Sequence, residues 1–518
     1  MPRRAATVIL CAIVLAGTAA VFLPARNFAF VDWDDFNEIT ENPLLHPPSV
    51  DHLRQIWSAP VLKLYAPLTY TVWWTLERIS GPDNPYAFHL LNVLLHLACA
   101  ALVFSILRMC VKSPAAAFGG ALVFALHPMQ VETVGWVAEM NNLLAAALSL
   151  AAIWLYLASG ATPRRRWILY GLGSAAYLAA LLSKPTAVVV PLIAVILDAG
   201  ALRRPLRPAV YALLPWLAVA GLFGWIAQHN QGGIIVPILD RPVVALDALG
   251  FYCRKIIWPT GLTIDYGRTP GWVLLDHHWI ADAGIAIGLA VVLWLLRRRF
   301  GGVGLGAMVA LAALLPVLGL VPFAFQESST VADRFTYLAM FGPALAAASV
   351  LAAMRQNAAF PLAAAVGFVL AMLSTAQLQT WRDSQALVDH TLAVDPGSAV
   401  GNAIAGSVLN HERRPVEAIG HFLASLSRDP NNPYVQYNLA NALDSVGQYD
   451  QAIQHFKAAI ALFDPPSWRA MNNLGIVYAK IGRRDLAMAQ FKQVLEIDPD
   501  NPQARRNIQV LAAGGSAR

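Results

Sequence analysis

Five carboxylates stand close together in an aromatic segment, residues 28–43, that follows the first apolar run of the chain. They are Asp32, Asp34, Asp35, Glu38 and Glu41. Because only 13% of the 518 residues are charged, an acidic cluster at the end of a membrane helix is a candidate functional site. The alternative, a solvated acidic loop without chemistry, stays open.

Asp34 and Asp35 are the candidates for a general base, a role worth about 10²- to 10⁴-fold in rate. Adjacent carboxylates point in different directions on a regular backbone. We therefore expect one to face an acceptor hydroxyl and the other to orient the loop or bind a cation. A divalent cation is compatible with the pair, but two neighbouring aspartates without other ligands are weak evidence for one. We assign no metal and no other cofactor.

Two cations are candidates to bind a departing phosphate. Lys184 lies between two apolar runs, and Arg334 precedes another. Fixed cations at such positions stabilise the negative charge that develops on a leaving group. Each side chain could instead anchor its helix at the membrane surface by snorkelling.

Four further side chains are candidates to line the same cavity: Glu132, Glu139, His89 and Asp333. The two glutamates are seven residues apart, which is two turns on one face if this segment is helical. His89 has the same spacing from His96, but without a third ligand such a pair is more often packed or hydrogen-bonded than metal-binding.

The elements that must position these groups are membrane helices. The chain is 57% hydrophobic, contains 15 Trp, and alternates apolar runs of spanning length with short Arg clusters. These features predict an all-α, polytopic membrane protein surrounded by lipid. The formal charge of +6 comes mainly from short loops, where basic residues set topology, so we expect no nucleic-acid partner.

The positive-inside rule converts the apolar runs into about eleven crossings. Arg3 and Arg4 place the N-terminus in the cytoplasm, and Arg297 to Arg299 mark a later cytoplasmic loop. Residues 243–258 are interrupted by two cations and are predicted to lie on the surface or to re-enter the membrane. The predicted crossings are 6–23, 86–107, 114–127, 142–159, 167–182, 185–200, 209–227, 280–296, 302–320, 336–354 and 359–378. Because the count is odd, the acidic segment and the chain after Trp381 lie on one non-cytoplasmic side.

The C-terminal part has an internal repeat. Asp-Pro recurs at 395, 429, 464 and 498, with spacings of 34, 35 and 34 residues, which is the tetratricopeptide period. We therefore predict a membrane domain, 1–380, and a repeat domain, 381–518, with repeats at about 396–430, 431–465 and 466–499. The concave face of such a solenoid binds extended protein segments, although a passive spacer or an oligomerisation surface remains an alternative.

The sequence contains five characteristic segments, at 31–35, 85–96, 125–136, 182–185 and 332–338. These segments resemble the transmembrane and tetratricopeptide repeat-containing O-mannosyltransferases and their bacterial relatives. The resemblance implies a type C glycosyltransferase fold, a lipid-phosphate-linked sugar donor and an active site on the non-cytoplasmic face. Ala66 and Pro185 depart from the family pattern, and only three repeats are present, which leaves the sugar and the acceptor open.

The resulting hypothesis is an inverting glycosyltransferase of the inner membrane that moves a sugar, with mannose as the candidate. Its donor is a polyprenyl-phosphate sugar, its acceptor a hydroxyl of a protein or an envelope glycan, and its repeats hold a protein partner in the periplasm. One alternative is a non-catalytic scaffold or transporter component that uses the repeats to recruit a protein. A flippase is another, but it predicts charged residues at mid-membrane depth, and few occur.

Overall fold

A computed structural model describes residues 3–81, 84–231, 236–275, 277, 279–296, 301–463 and 466–513. The chain divides into two compact units, 1–386 and 387–518. In the described residues both units are helical, with a single isolated bridge between Val61 and Leu64, so the predicted all-α class is confirmed. The side chains of Arg3 and Arg4, the Arg297 to Arg299 cluster and the Asp464-Pro465 pair lie outside the described residues.

The first unit holds the apolar helices. Among the described residues, five helices are long and apolar enough to cross a membrane, and α5 below forms a sixth with Pro128–Gly135 after a bend of 50°. The five are α1, α4, α7, α10 and α16 below. These helices indicate a membrane protein. The helices of this unit are α1 (Arg3–Phe22), α2 (Val50–Ser58), α3 (Pro67–Ser80), α4 (Tyr86–Cys110), α5 (Pro114–Leu126), α6 (Val131–Gly135), α7 (Met140–Ala161), α8 (Arg166–Ser183), α9 (Val190–Ile196), α10 (Leu206–Gln231), α11 (Arg241–Ile257), α12 (Pro270–Leu275), α13 (Trp279–Leu296), α14 (Gly301–Leu314), α15 (Phe341–Ala353) and α16 (Gln356–Leu378).

Several predicted crossings correspond to short apolar helices in the structure. Four of them correspond to apolar helices of 10–17 residues, and the number of eleven crossings stays a prediction. The crossing expected at 302–320 ends as an α-helix at Leu314 and continues as a 3₁₀ turn, Leu315–Val317. Pro316 explains the change, because proline lacks an N–H donor and clashes with the preceding turn of an α-helix.

Small residues bring the membrane helices together. A Cβ atom added to Gly306 of α14 would lie 2.5 Å from the carbonyl oxygen of Gly342 in α15. In α5, a side chain on Gly120 would meet the Ala344 carbonyl of α15. Close backbone approach at small residues is typical of helix pairs in lipid, and it fixes the helices that support the candidate site.

The segment predicted to be surface-lying or re-entrant forms α11, which packs against α13. Gly250 of α11 touches the backbone of Asp282 in α13, where a side chain would not fit. Phe251 and Tyr252 are buried. The helix therefore has one face covered by protein.

The second unit is a stack of helix hairpins. The pairs α18–α19, α20–α21 and α22–α23 each close around one fully buried aromatic ring, Phe422, Phe456 and Phe491 respectively. Gly406 and Gly475 lie against the first and third of these rings with no room for a side chain. The helices are α17 (Ser384–Val394), which spans the boundary between the units, α18 (Ala399–His411), α19 (Pro415–Arg428), α20 (Pro433–Ser445), α21 (Tyr449–Leu462), α22 (Trp468–Lys480), α23 (Arg484–Ile497) and α24 (Pro502–Ala512).

Candidate active site

The acidic segment ends in a π-helical turn, Asp35–Thr40, which places Asp34 and Asp35 at its start. The two side chains differ in their surroundings, as expected for adjacent carboxylates. Asp35 is 1% exposed, whereas Asp34 is partly exposed. Among the described residues, none donates a hydrogen bond to the Asp34 carboxylate.

Asp35 fastens the acidic segment to the chain before α7. Its Oδ2 accepts a hydrogen bond from the backbone N–H of Val31 and its Oδ1 one from that of Ala138, both at 2.9 Å. Burial raises the Asp35 pKa to about 7, although these two hydrogen bonds oppose the rise. Because both oxygens are occupied by backbone donors, Asp35 orients the segment.

Asp34 lies in the field of three other charged groups. Burial raises the pKa of Asp34 to about 6, and the negative charge of Glu139 adds to the rise. The positive charges of Arg334 and Lys184 oppose it. A carboxyl group with a pKa near 6 is ionised above neutral pH and retains basicity, as a general base requires.

Arg334 is held between carboxylates and aromatic rings. Its Nη1 donates to Glu132 Oε1 at 2.5 Å, and its Nε lies 3.4 Å from Glu139 Oε1. The guanidinium carbon is 4.2 Å from the centre of the Phe325 ring, a cation–π contact that suits a planar cation. Although burial lowers the pKa of Arg334, the two glutamates raise it by more, so the side chain stays charged.

Lys184 is less tightly held. It follows α8 in an extended conformation, and its Nζ donates to Asn141 Oδ1 at 2.9 Å and lies 3.7 Å from Glu139 Oε2. Burial lowers the pKa of Lys184, and Glu139 opposes the decrease. Glu139 thus bridges the two cations.

Both cations line one cleft. Asn142 and Ser149 of α7 contribute polar atoms. The rest of the wall is mainly apolar and includes Tyr337, Phe335 and four Ala side chains. The cleft therefore offers two cations within a largely apolar wall, which is the chemistry that a phosphate attached to a lipid would need.

Of the eight residues singled out from the sequence, only Lys184 and Arg334 line the cleft, and Asp34, Glu132 and Glu139 interact with them. Asp35 positions the segment that carries Asp34. Asp333 accepts a hydrogen bond from the Tyr266 hydroxyl at 2.8 Å and does not line the cleft. It therefore holds the turn that carries Arg334 onto the loop after α11. His89 shares a hydrogen bond of 3.3 Å with the Ala29 carbonyl and packs edge-on against Phe28, so its contacts are structural.

Sequence reasoning missed Asn141, Asn142 and Tyr266 as members of this arrangement. The two asparagines follow Glu139 closely in the chain, and that proximity could have indicated them. No feature of the sequence indicated Tyr266. Within the part of the chain that the structure describes, no group of three or more His, Cys, Asp or Glu side chains is arranged to hold a metal ion.

Comparison with known proteins supports the resemblance. A family model of the tetratricopeptide repeat matches residues 437–502. The protein named Protein O-mannosyl-transferase Tmtc3 of Drosophila melanogaster is 23% identical over 524 residues, which cover 83% of this chain and 56% of that relative. Human Protein O-mannosyl-transferase TMTC4 is 30% identical over 168 residues, 28% of this chain and 22% of that protein.

Mouse Protein O-mannosyl-transferase TMTC3 is 28% identical over 155 residues, 28% of this chain and 16% of the relative. This chain thus spans about half the length of the Drosophila relative, and the mammalian matches cover smaller shares. The similarity to the O-mannosyltransferase family that the motifs indicated is confirmed.

Proposed function

We propose that this chain is an integral-membrane glycosyltransferase of the inner membrane. It moves a sugar, with mannose as the candidate, from a polyprenyl-phosphate donor to a hydroxyl group on the non-cytoplasmic face. The observation that carries the proposal is the Asp34 carboxylate, which accepts no hydrogen bond from the described residues and shares one charged cluster with Lys184 and Arg334. The names of the relatives favour a protein acceptor over an envelope glycan.

In the proposed reaction the acceptor oxygen attacks the anomeric carbon while the bond from that carbon to the phosphate oxygen breaks. Asp34 takes the proton of the acceptor hydroxyl, and the bonding electron pair leaves with the polyprenyl phosphate. One displacement inverts the configuration at the anomeric carbon. General-base assistance of this kind contributes about 10²- to 10⁴-fold in rate.

The two cations have different parts in this scheme. Arg334 is committed to Glu132 and Glu139, so it supplies a fixed positive charge. Lys184 has a neutral hydrogen-bond partner in Asn141 and only a 3.7 Å contact with Glu139. Its ammonium group is therefore the more available ligand for the departing phosphate.

The proposed orientation follows the charge pattern of the loops. The N-terminus lies in the cytoplasm, and the acidic segment and the repeat domain, 381–518, lie in the periplasm. The buried aromatic seams give the repeats a stable stack, and such stacks present a concave face to protein partners. The repeats would hold the acceptor or a protein that delivers it.

Sugar transfer by the purified chain in lipid nanodiscs tests this function. The probes are undecaprenyl-phosphate mannose with a radiolabelled sugar and a library of peptides rich in Ser and Thr. We expect label in peptide with the wild type and a loss of about 10²-fold or more in Asp34→Asn, whereas Glu41→Gln, in the same segment but exposed, retains the activity. A non-catalytic scaffold would give no label with the wild type, and equal labelling by Asp34→Asn would exclude Asp34 as the base.

A further inference from the structure

Two polar side chains next to Asp34 have no part in the reaction described above. Glu38 follows Asp34 by four residues in the π-helical turn, and Tyr70 lies in α3 and is 1% exposed. The Oε2 atom of Glu38 and the hydroxyl of Tyr70 are shielded from solvent, and neither has a hydrogen-bond partner among the described residues. Buried polar atoms in folded proteins are usually paired with protein, water or ligand, so these two unpaired atoms near Asp34 are candidates to bind a ligand.

The two groups lie within electrostatic range of each other and of Asp34. Burial raises the pKa of Tyr70 well above its usual value, and the negative charges of Glu38 and Asp34 raise it further. Burial likewise raises the Glu38 pKa well above its usual value, and the charges of Asp34 and Glu139 add to that effect. When protonated, the Glu38 carboxyl group donates one hydrogen bond and keeps oxygen atoms that accept, and a phenol hydroxyl both donates and accepts.

The surrounding packing holds this pair in place. Tyr70 packs edge-on against Trp73 with ring centres 5.0 Å apart, in a cluster with Ile39. The neighbouring Thr69 donates a hydrogen bond of 3.0 Å to the carbonyl of Ser183. Because residue 183 precedes Lys184, α3 is fixed both to the turn that carries Glu38 and to the phosphate-binding lysine.

We propose that the Glu38 carboxyl group and the Tyr70 hydroxyl form a subsite that binds hydroxyl groups of the donor sugar beside Asp34. The inference rests on the proposed function and adds the part of the site that recognises the sugar. Sugar hydroxyls both donate and accept, which matches these two groups. Charged phosphate does not match them, because its binding calls for cations. The acceptor contributes one hydroxyl, which Asp34 already engages, whereas the sugar carries several next to the reacting carbon.

Lipid binding by the full chain in nanodiscs tests the subsite. The probes are undecaprenyl-phosphate mannose and bare undecaprenyl phosphate, and the measured quantity is the ratio of their apparent Kd values from thermal stabilisation. We expect the wild type to prefer the mannosylated lipid by about tenfold or more, as hydrogen bonds in a buried site would give. Tyr70→Phe and Glu38→Met should each remove most of that preference and leave binding of the bare lipid unchanged.

Two controls make the outcome decisive. Glu41→Met, on the exposed side of the same segment, should keep the wild-type ratio, and melting without lipid reports whether each variant folds. Tyr70→Phe removes one oxygen atom and preserves the ring packing. It therefore still tests the subsite if Glu38→Met does not fold. A preference that persists in a folded Tyr70→Phe variant, or an effect confined to the acceptor KM, overturns the subsite. A wild type that responds to neither lipid overturns the proposed function itself.

Discussion

Acidification should suppress the proposed sugar transfer by protonating Asp34, the proposed base. Its pKa is raised to about 6 by burial, and a general base works only in its ionised form. With a pKa of about 6, roughly a tenth of the Asp34 side chains are ionised at about pH 5. We therefore expect kcat/KM at that pH to be about a tenth of its value above neutrality.

On the acid side of the pH–rate profile, kcat/KM falls as Asp34 becomes protonated. Neighbouring charges should shift this acid limb of the profile along the pH axis in opposite directions. Glu139 raises the Asp34 pKa and Lys184 lowers it. Removing the negative charge with Glu139→Gln should shift the limb to lower pH, because ionised Asp34 is then less disfavoured. Removing the positive charge with Lys184→Met should shift it to higher pH. A purely structural role of these residues predicts loss of rate without such a pair of opposite shifts.

The assay is the initial rate of mannose transfer from undecaprenyl-phosphate mannose in nanodiscs, at low acceptor concentration. Rates are compared between about pH 4.5 and 8.5, with melting measured across the same range to exclude unfolding. The residual activity of Asp34→Asn should lack the limb. A flat profile in the wild type, or an unchanged limb in Asp34→Asn, would refute the assignment of the base.

Three further expectations concern the phosphate ligand and the two packed units. Lys184→Met should raise the donor KM by about tenfold in a donor titration, because the phosphate loses a cation. Lys184→Arg keeps the charge and should stay closer to the wild type. An unchanged donor KM in Lys184→Met would show that Lys184 does not bind the phosphate. Gly306→Ala should destabilise the membrane unit by about 1–3 kcal/mol, because the new methyl group meets the backbone of α15. Gly304→Ala in the same helix meets nothing within 4 Å, and equal detergent melting temperatures for the two variants would contradict the close approach. Phe456→Ala should loosen the repeats by about 3–5 kcal/mol and expose them to limited proteolysis of the full chain, whereas Leu423→Ala, 50% exposed, should leave cleavage unchanged.

Periodicity and composition made the helical elements readable in advance. The apolar runs predicted the membrane helices, since the lipid interior requires long apolar segments with internally paired backbones. The Asp-Pro period predicted the repeats, since each helix hairpin buries its aromatic seam only against small residues at fixed offsets. Helix ends were less predictable: the short α-helix before Pro316 shows a local proline effect that hydropathy alone does not register.

The roles within the acidic segment were beyond the reach of sequence. Asp34 and Asp35 have the same chemistry and neighbouring positions, yet only Asp35 meets two backbone donors, one of them about a hundred residues away at Ala138. Likewise, the sequence offered His89 and Glu139 as equal candidates to line the cavity. In the structure His89 shares a hydrogen bond with a backbone carbonyl, whereas Glu139 lies between two cations.

Sequence by itself therefore determined the class of protein, the repeats and the set of groups that could take part in chemistry. Tertiary structure decided which of those groups have hydrogen-bond partners in the protein, which are unpaired, and which interact electrostatically with one another. The physical reason is range: helix formation depends on residues a few positions apart, whereas the environment of a charge depends on atoms that folding brings from distant parts of the chain.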